Sequence, residues 1–211
     1  MLLAAAHCLP FEAHAAGSAL VAKQIEQRQQ TAQAAGTGGD VYILRGGAGV
    51  FSTGLLELSA ALRQSGVASS VISYQAWRSA VQAIIANRQK FGRRPVVIVG
   101  HSLGANNAIK MANALQAKGI NVDLIVSLAS TSALSVPANV REVDNFYFKV
   151  GGWGGLFSPE SGFSGTLSNE DVSTRRGMTH FNIDDDPALR VDIVRSVLRY
   201  VKPQKAASLG Q

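Results

Sequence analysis

At 211 residues, with 46% hydrophobic and only 16% charged content, the chain is long enough to enclose one well-buried core, too short for two comfortable domains and too apolar for a disordered binder. The formal charge of +6 is scattered, no stretch gathering more than two or three Lys or Arg, as at Arg93-Arg94 and Arg175-Arg176. That scatter reads as a solubilising surface and argues against nucleic acid as a partner.

In chain order, residues 1–17, MLLAAAHCLPFEAHAAG, carry an apolar stretch and a small-residue site, Ala13-His14-Ala15, of the kind found in secretory signals, without the usual basic start. A periplasmic or secreted location is the expectation. Cleavage there removes Cys8, the only cysteine, and leaves neither a disulfide nor a thiol nucleophile. A lipid anchor on Cys8 does not fit, because the bulky His7 stands where a small residue normally precedes such a cysteine. Residues 18–39 turn Gln- and Ala-rich and then Gly-rich, which reads as a linker or loose helix.

The compact domain is expected over residues 40–203, followed by a tail, 204–211. VYILR (41–45), SSVISY (69–74) and PVVIVG (95–100) are apolar runs with strand composition. Helical spacing separates them: Leu55, Leu58 and Leu62 first, then Trp77, Val81, Ile84 and Ile85. A helix over 105–118 closes on Gly119, and VDLIVSLA (122–129) and VDNFYFKV (143–150) read as further strands. Residues 151–165 are Gly-rich and read as loop; their Trp153, Phe157 and Phe163 suit either a lid over a site or the edge of the core. The last helix can be capped by Asp185 or Asp186, has Pro187 in its first turn and presents Leu189, Ile193, Val197 and Val201 on one face. Strands alternating with helices predict an α/β fold: a three-layer sandwich with a mostly parallel sheet of about five or six strands, helices on both faces and no large cap domain. No later apolar run approaches the roughly 20 residues that would span a bilayer.

The chemistry is concentrated in GHSLG, residues 100–104, between a β-branched strand and a helix. In that setting the small Gly100 and Gly104 permit a sharp turn that holds Ser102 strained, with its hydroxyl exposed at the carboxyl end of the sheet. The helix that follows aims its N-terminus there, so the Leu103 N–H can stabilise a developing oxyanion. Of the four histidines, His7 and His14 fall in the leader, and His101 diverges from the serine beside it and reads as packing. His180, before the last helix, is left as the general base. For the acid, Asp123, Glu142 and Asp144 stand near strand starts, at the wrong end of a parallel sheet. Glu160, Glu170 and Asp171 lie in the loop on the correct side, and Asp171, anchored by the apolar Val172, is the choice. A second oxyanion donor is expected from RGGAGVF (45–51), at Gly47 or Ala48. That run lacks the Lys followed by Ser or Thr of a phosphate-binding loop, so nucleotide binding is not expected. The chemistry so assembled needs no metal and no organic cofactor.

RGG-VFSTGL, GHSLGAN, VPANV and GMTHFNID together resemble small secreted bacterial α/β-hydrolases of the lipase or thioesterase-like group, over roughly residues 40–200. The resemblance implies an acyl-ester or thioester hydrolase with Ser102 as nucleophile, His180 as base, and Gly47 and Leu103 at the oxyanion hole. Relatives of this kind often carry Asp-Pro after the strand that ends here at Leu128, where this chain has Ala129 and Ser130. If that Asp is the family's acid, this chain has lost it or uses Asp171. Two alternatives follow: a non-catalytic acyl-ligand-binding protein on the same scaffold, or an acyltransferase acting through the same acyl-enzyme. In each case the partner is a small acyl compound.

Overall fold

A computed structural model of the chain describes residues 38–47, 53–150 and 154–201. The expected signal segment with His7, Cys8 and His14, the linker up to residue 37, Ala48, Trp153 and the tail lie outside the described residues. Among the described residues no helix is long and apolar enough to cross a membrane.

Among the described residues, eight strands and four α-helices follow one another as β1 (Asp40–Arg45), α1 (Gly54–Gln64), β2 (Ser70–Ser73), α2 (Trp77–Phe91), β3 (Val96–His101), α3 (Leu103–Gln116), β4 (Leu124–Leu128), β5 (Ser135–Val136), β6 (Glu142–Tyr147), β7 (Ser158–Pro159), β8 (Thr166–Asp171) and α4 (Pro187–Tyr200). Six of the strands form one sheet in the order β2-β1-β3-β4-β6-β8, every pair parallel. β5 and β7 make a separate two-stranded parallel ladder.

The central strands are buried on both faces, which is why they are almost purely aliphatic. Alternate residues divide between two cores. Val41, Ile43, Val97, Val99, Val126 and Leu128 pack with Leu55 and Leu58 of α1 and with Ile193 and Val197 of α4. Tyr42, Leu44, Ile98 and Ile125 pack on the other face with Ala80 and Ile84 of α2 and Met111 and Leu115 of α3. The result is a three-layer α/β arrangement, as composition and alternation imply.

The last sheet strand is not legible as a strand in the sequence. TLSNED carries a single aliphatic residue, since β8 is an edge strand whose side chains are mostly exposed. It converts the stretch around Glu170 and Asp171, expected as loop, into the sixth parallel strand. Phe157 is 3% exposed, and Phe163 packs against the same core, so both belong to the core edge rather than to a lid.

The far end of the sheet is closed by the acids set aside above. Asp123 accepts from the Val96 N–H at 3.0 Å. Glu142 pairs with Arg199 and accepts from the Tyr200 hydroxyl, and Asp144 accepts from the Ser196 hydroxyl at 3.3 Å. At the start of α4, Asp186 rather than Asp185 is the cap, accepting from the Leu189 N–H at 2.7 Å with Pro187 next in the chain.

Candidate active site

The carboxyl ends of β1, β3 and β4 converge on the turn between β3 and α3. Ser102 stands in that turn at φ 56°, ψ −123°, a region L-residues seldom occupy and hold only where their surroundings force it. The enforcing contacts are backbone: the Ser102 N–H donates to Leu128 O at 2.9 Å, and Ser102 O accepts from Ala105 N–H at 3.0 Å. Gly100 and Gly104 are required by space. A methyl on Gly100 would lie 2.5 Å from the carbonyl of Gly104, and one on Gly104 would lie 2.2 Å from Leu44 O. Both obstacles are main chain and cannot swing aside. Gly104→Ala is therefore expected to lower stability by about 1–3 kcal/mol or more, read as a shift of the urea midpoint.

His180 comes from the loop after β8 and is 7% exposed. Its Nε2 lies 3.1 Å from Ser102 Oγ, 78 residues away in the chain. In the neutral ring that nitrogen can accept the serine proton when Nδ1 carries the hydrogen. Burial first, and the neighbouring His101 second, push the His180 pKa from its ordinary 6.5 down to about 4. The ring is accordingly neutral at pH 7 and able to take a proton. Phe181, 51% exposed, meets the His180 ring edge-on with centroids 5.2 Å apart.

Leu103 is the first residue of α3, so its N–H has no acceptor within the helix. The loop after β1 runs against the turn. A methyl on Gly46 would sit 3.1 Å from Ser102 Cβ, and one on Gly47 would sit 3.0 Å from Leu103 Cδ1. Leu103 and Gly47, expected as oxyanion donors, are thus brought to the same place as Ser102 and His180. Ala48 lies outside the described residues.

Asp171 ends β8 at the same edge of the sheet, but its carboxylate accepts from the backbone N–H groups of Ser173 at 2.9 Å and Lys149 at 3.2 Å. Those bonds, with the Ser173 hydroxyl contributing most, hold its pKa below the usual carboxylate range. Its role in these contacts is to close the β8 turn. Glu170 pairs with Arg175. Ala129, where the resembled family carries Asp, is fully buried at φ 49°. Among the described residues it and Ser102 alone combine a side chain with positive φ.

One carboxyl escaped the sequence reading. Asp184 follows His180 by four residues, outside the Ser-to-His stretch in which the chain order places the acid. It is 6% exposed and its Oδ1 lies 3.9 Å from His101 Nδ1. The legible signal was the run Asp184-Asp185-Asp186 behind the apolar Ile183: a single acid suffices to cap α4, so the others were open to a different use. His101 exceeds its expected packing role too. It is 2% exposed, and its Nε2 bonds the main-chain carbonyl of His180 at 2.8 Å.

Compared with known proteins, the chain matches no family model and no curated protein.

Proposed function

We propose that this chain is a serine hydrolase of the α/β-hydrolase type that cleaves a carboxylic ester or thioester. The observation that carries the reading is the 3.1 Å approach of His180 Nε2 to the hydroxyl of a serine held at positive φ. Ser102 Oγ attacks the acyl carbonyl carbon while His180 takes its proton. The leaving alcohol or thiol receives that proton as the tetrahedral adduct collapses, and water then repeats the sequence on the acyl-enzyme to release the acid. The Leu103 N–H, backed by the α3 dipole, and the Gly47 N–H serve the oxyanion. The strand order β2-β1-β3-β4-β6-β8 supports the reading, since the serine turn then leaves a central strand of the sheet. Phe181 beside the base suits an apolar acyl group.

The test is rapid mixing with p-nitrophenyl butyrate. A burst of p-nitrophenol equal to the enzyme concentration, or steady turnover without one, fits the reading; no release above buffer, with enzyme that melts cooperatively, contradicts it.

A second reading, a non-catalytic acyl-ligand-binding protein, is favoured by Ala129 and by the backbone contacts that occupy Asp171. It predicts saturable binding of a non-hydrolysable acyl thioether and no p-nitrophenol. Acyltransfer by the same acyl-enzyme would appear as an ester product when a competing alcohol is added.

A further inference from the structure

His101 and Asp184 form a connected pair that the acyl-transfer steps leave unused. A carbonyl oxygen can only accept, so the 2.8 Å contact between His101 Nε2 and His180 O places a proton on Nε2. Nδ1 of the same ring then faces the Asp184 carboxyl, whose side chain is fully buried. The N–H groups of Asp184 and Leu55 lie near enough to favour a carboxylate there, yet neither closes a hydrogen bond to either oxygen. A bare buried carboxylate opposite a lone pair would be strongly disfavoured. One proton on the Asp184 carboxyl, which burial favours, resolves the arrangement and leaves the pair neutral. The Asp184 main chain packs directly on Gly54 at the start of α1, where a methyl would lie 2.0 Å from the Asp184 carbonyl oxygen.

We propose that Asp184 and His101 are positioning residues for the general base: Asp184 fixes the His101 ring, and the His101 Nε2–H holds the His180 main chain so that the His180 ring stays on Ser102. The inference rests on the Ser102–His180 reading. The end of β3 with its turn and the loop that carries His180 are thereby joined twice, once through the reacting atoms and once through this support, the His101 and His180 rings lying 5.3 Å apart between centroids. Neither residue touches the substrate. A displacement of about 1 Å in a catalytic group costs on the order of a hundredfold in rate, which sets the scale of the effect.

The experiment measures the second-order rate of fluorophosphonate labelling, with kcat and KM on p-nitrophenyl butyrate, for His101→Phe, His101→Gln, Asp184→Leu and Asp184→Asn. His101→Phe and Asp184→Leu are expected to label roughly 10- to 100-fold more slowly, the loss falling on kcat and not on KM. Gln can still donate to His180 O and Asn can donate to Nδ1, so these variants are expected to recover to within about fivefold of wild type. Labelling of folded His101→Phe at the wild-type rate overturns the proposal, as does Asp184→Asn labelling no faster than Asp184→Leu. If the apolar variants do not fold, ¹⁵N-histidine spectra of the wild type decide: His101 is expected to carry a proton on Nε2, and a ring protonated on Nδ1 alone overturns the proposal. Absence of labelling in the wild type would instead remove the Ser102–His180 reading, a separately recognisable failure.

Discussion

Ser102→Ala is expected to lower kcat/KM on p-nitrophenyl butyrate by at least about a thousandfold while leaving the thermal midpoint near that of wild type. The magnitude follows from what is removed. Attack on an ester carbonyl at neutral pH needs a nucleophile, and the hydroxyl 3.1 Å from His180 Nε2 is the group at this site able to supply one. In the proposed mechanism, removing it leaves only the Leu103 and Gly47 N–H groups to polarise a carbonyl for attack by bulk water, which should retain only a small remnant of the rate. Stability should not fall far, since Ser102 is only partly buried and the substitution removes a single oxygen. The positive φ of 56° stays in place because it is imposed by backbone bonds to Leu128 and Ala105. A Ser102→Ala protein that retains more than a tenth of wild-type turnover would point to another nucleophile.

His180→Gln is the second large effect, expected at about a hundredfold or more in kcat/KM, together with a changed pH dependence. In the proposed mechanism the active form carries a neutral His180. With its pKa held down to about 4 by burial and by His101, activity should persist through mildly acidic solution and fall only as pH drops through that value. An unperturbed histidine would instead lose activity near 6.5. The same depression governs stability. Between about 4 and the ordinary 6.5 the unfolded chain binds the His180 proton and the folded chain does not, so this residue makes stability rise with pH across that window and fall on acidification. Asp184 and Asp144 work in the opposite direction, because burial raises their pKa values and lets the folded state keep protons the unfolded chain releases. The contribution of His180 is isolated by difference: subtracting the His180→Gln stability profile from that of wild type should leave a slope of the stated sign, and a flat difference would contradict the buried neutral ring.

How much of this was legible in the sequence depended on burial. β1, β3 and β4 announce themselves because both faces are covered and every position must be apolar. The glycines at 100 and 104 could be read from the turn they permit, since spacing around Ser102 is a local property. β8 was hidden, as an edge strand needs no aliphatic pattern. Asp171 was placed on the correct edge of the sheet by direction alone, but direction does not say which donors a carboxylate meets, and here they are main-chain N–H groups. The roles proposed for His101 and Asp184 depend on a contact across 79 residues between a strand end and a loop, and one-dimensional spacing carries no trace of it. The same holds for Ala129: its identity is plain in the sequence, whereas its left-handed backbone beside the serine turn is a property of the folded chain.

Intact-mass spectrometry after incubation with a fluorophosphonate, followed by peptide mapping, tests the reactive serine most directly. The wild type should gain a single phosphonyl adduct, mapped to Ser102 and lost in Ser102→Ala. A folded wild-type protein that stays unmodified under conditions that fully label a control serine esterase, or an adduct at any other residue, would contradict it.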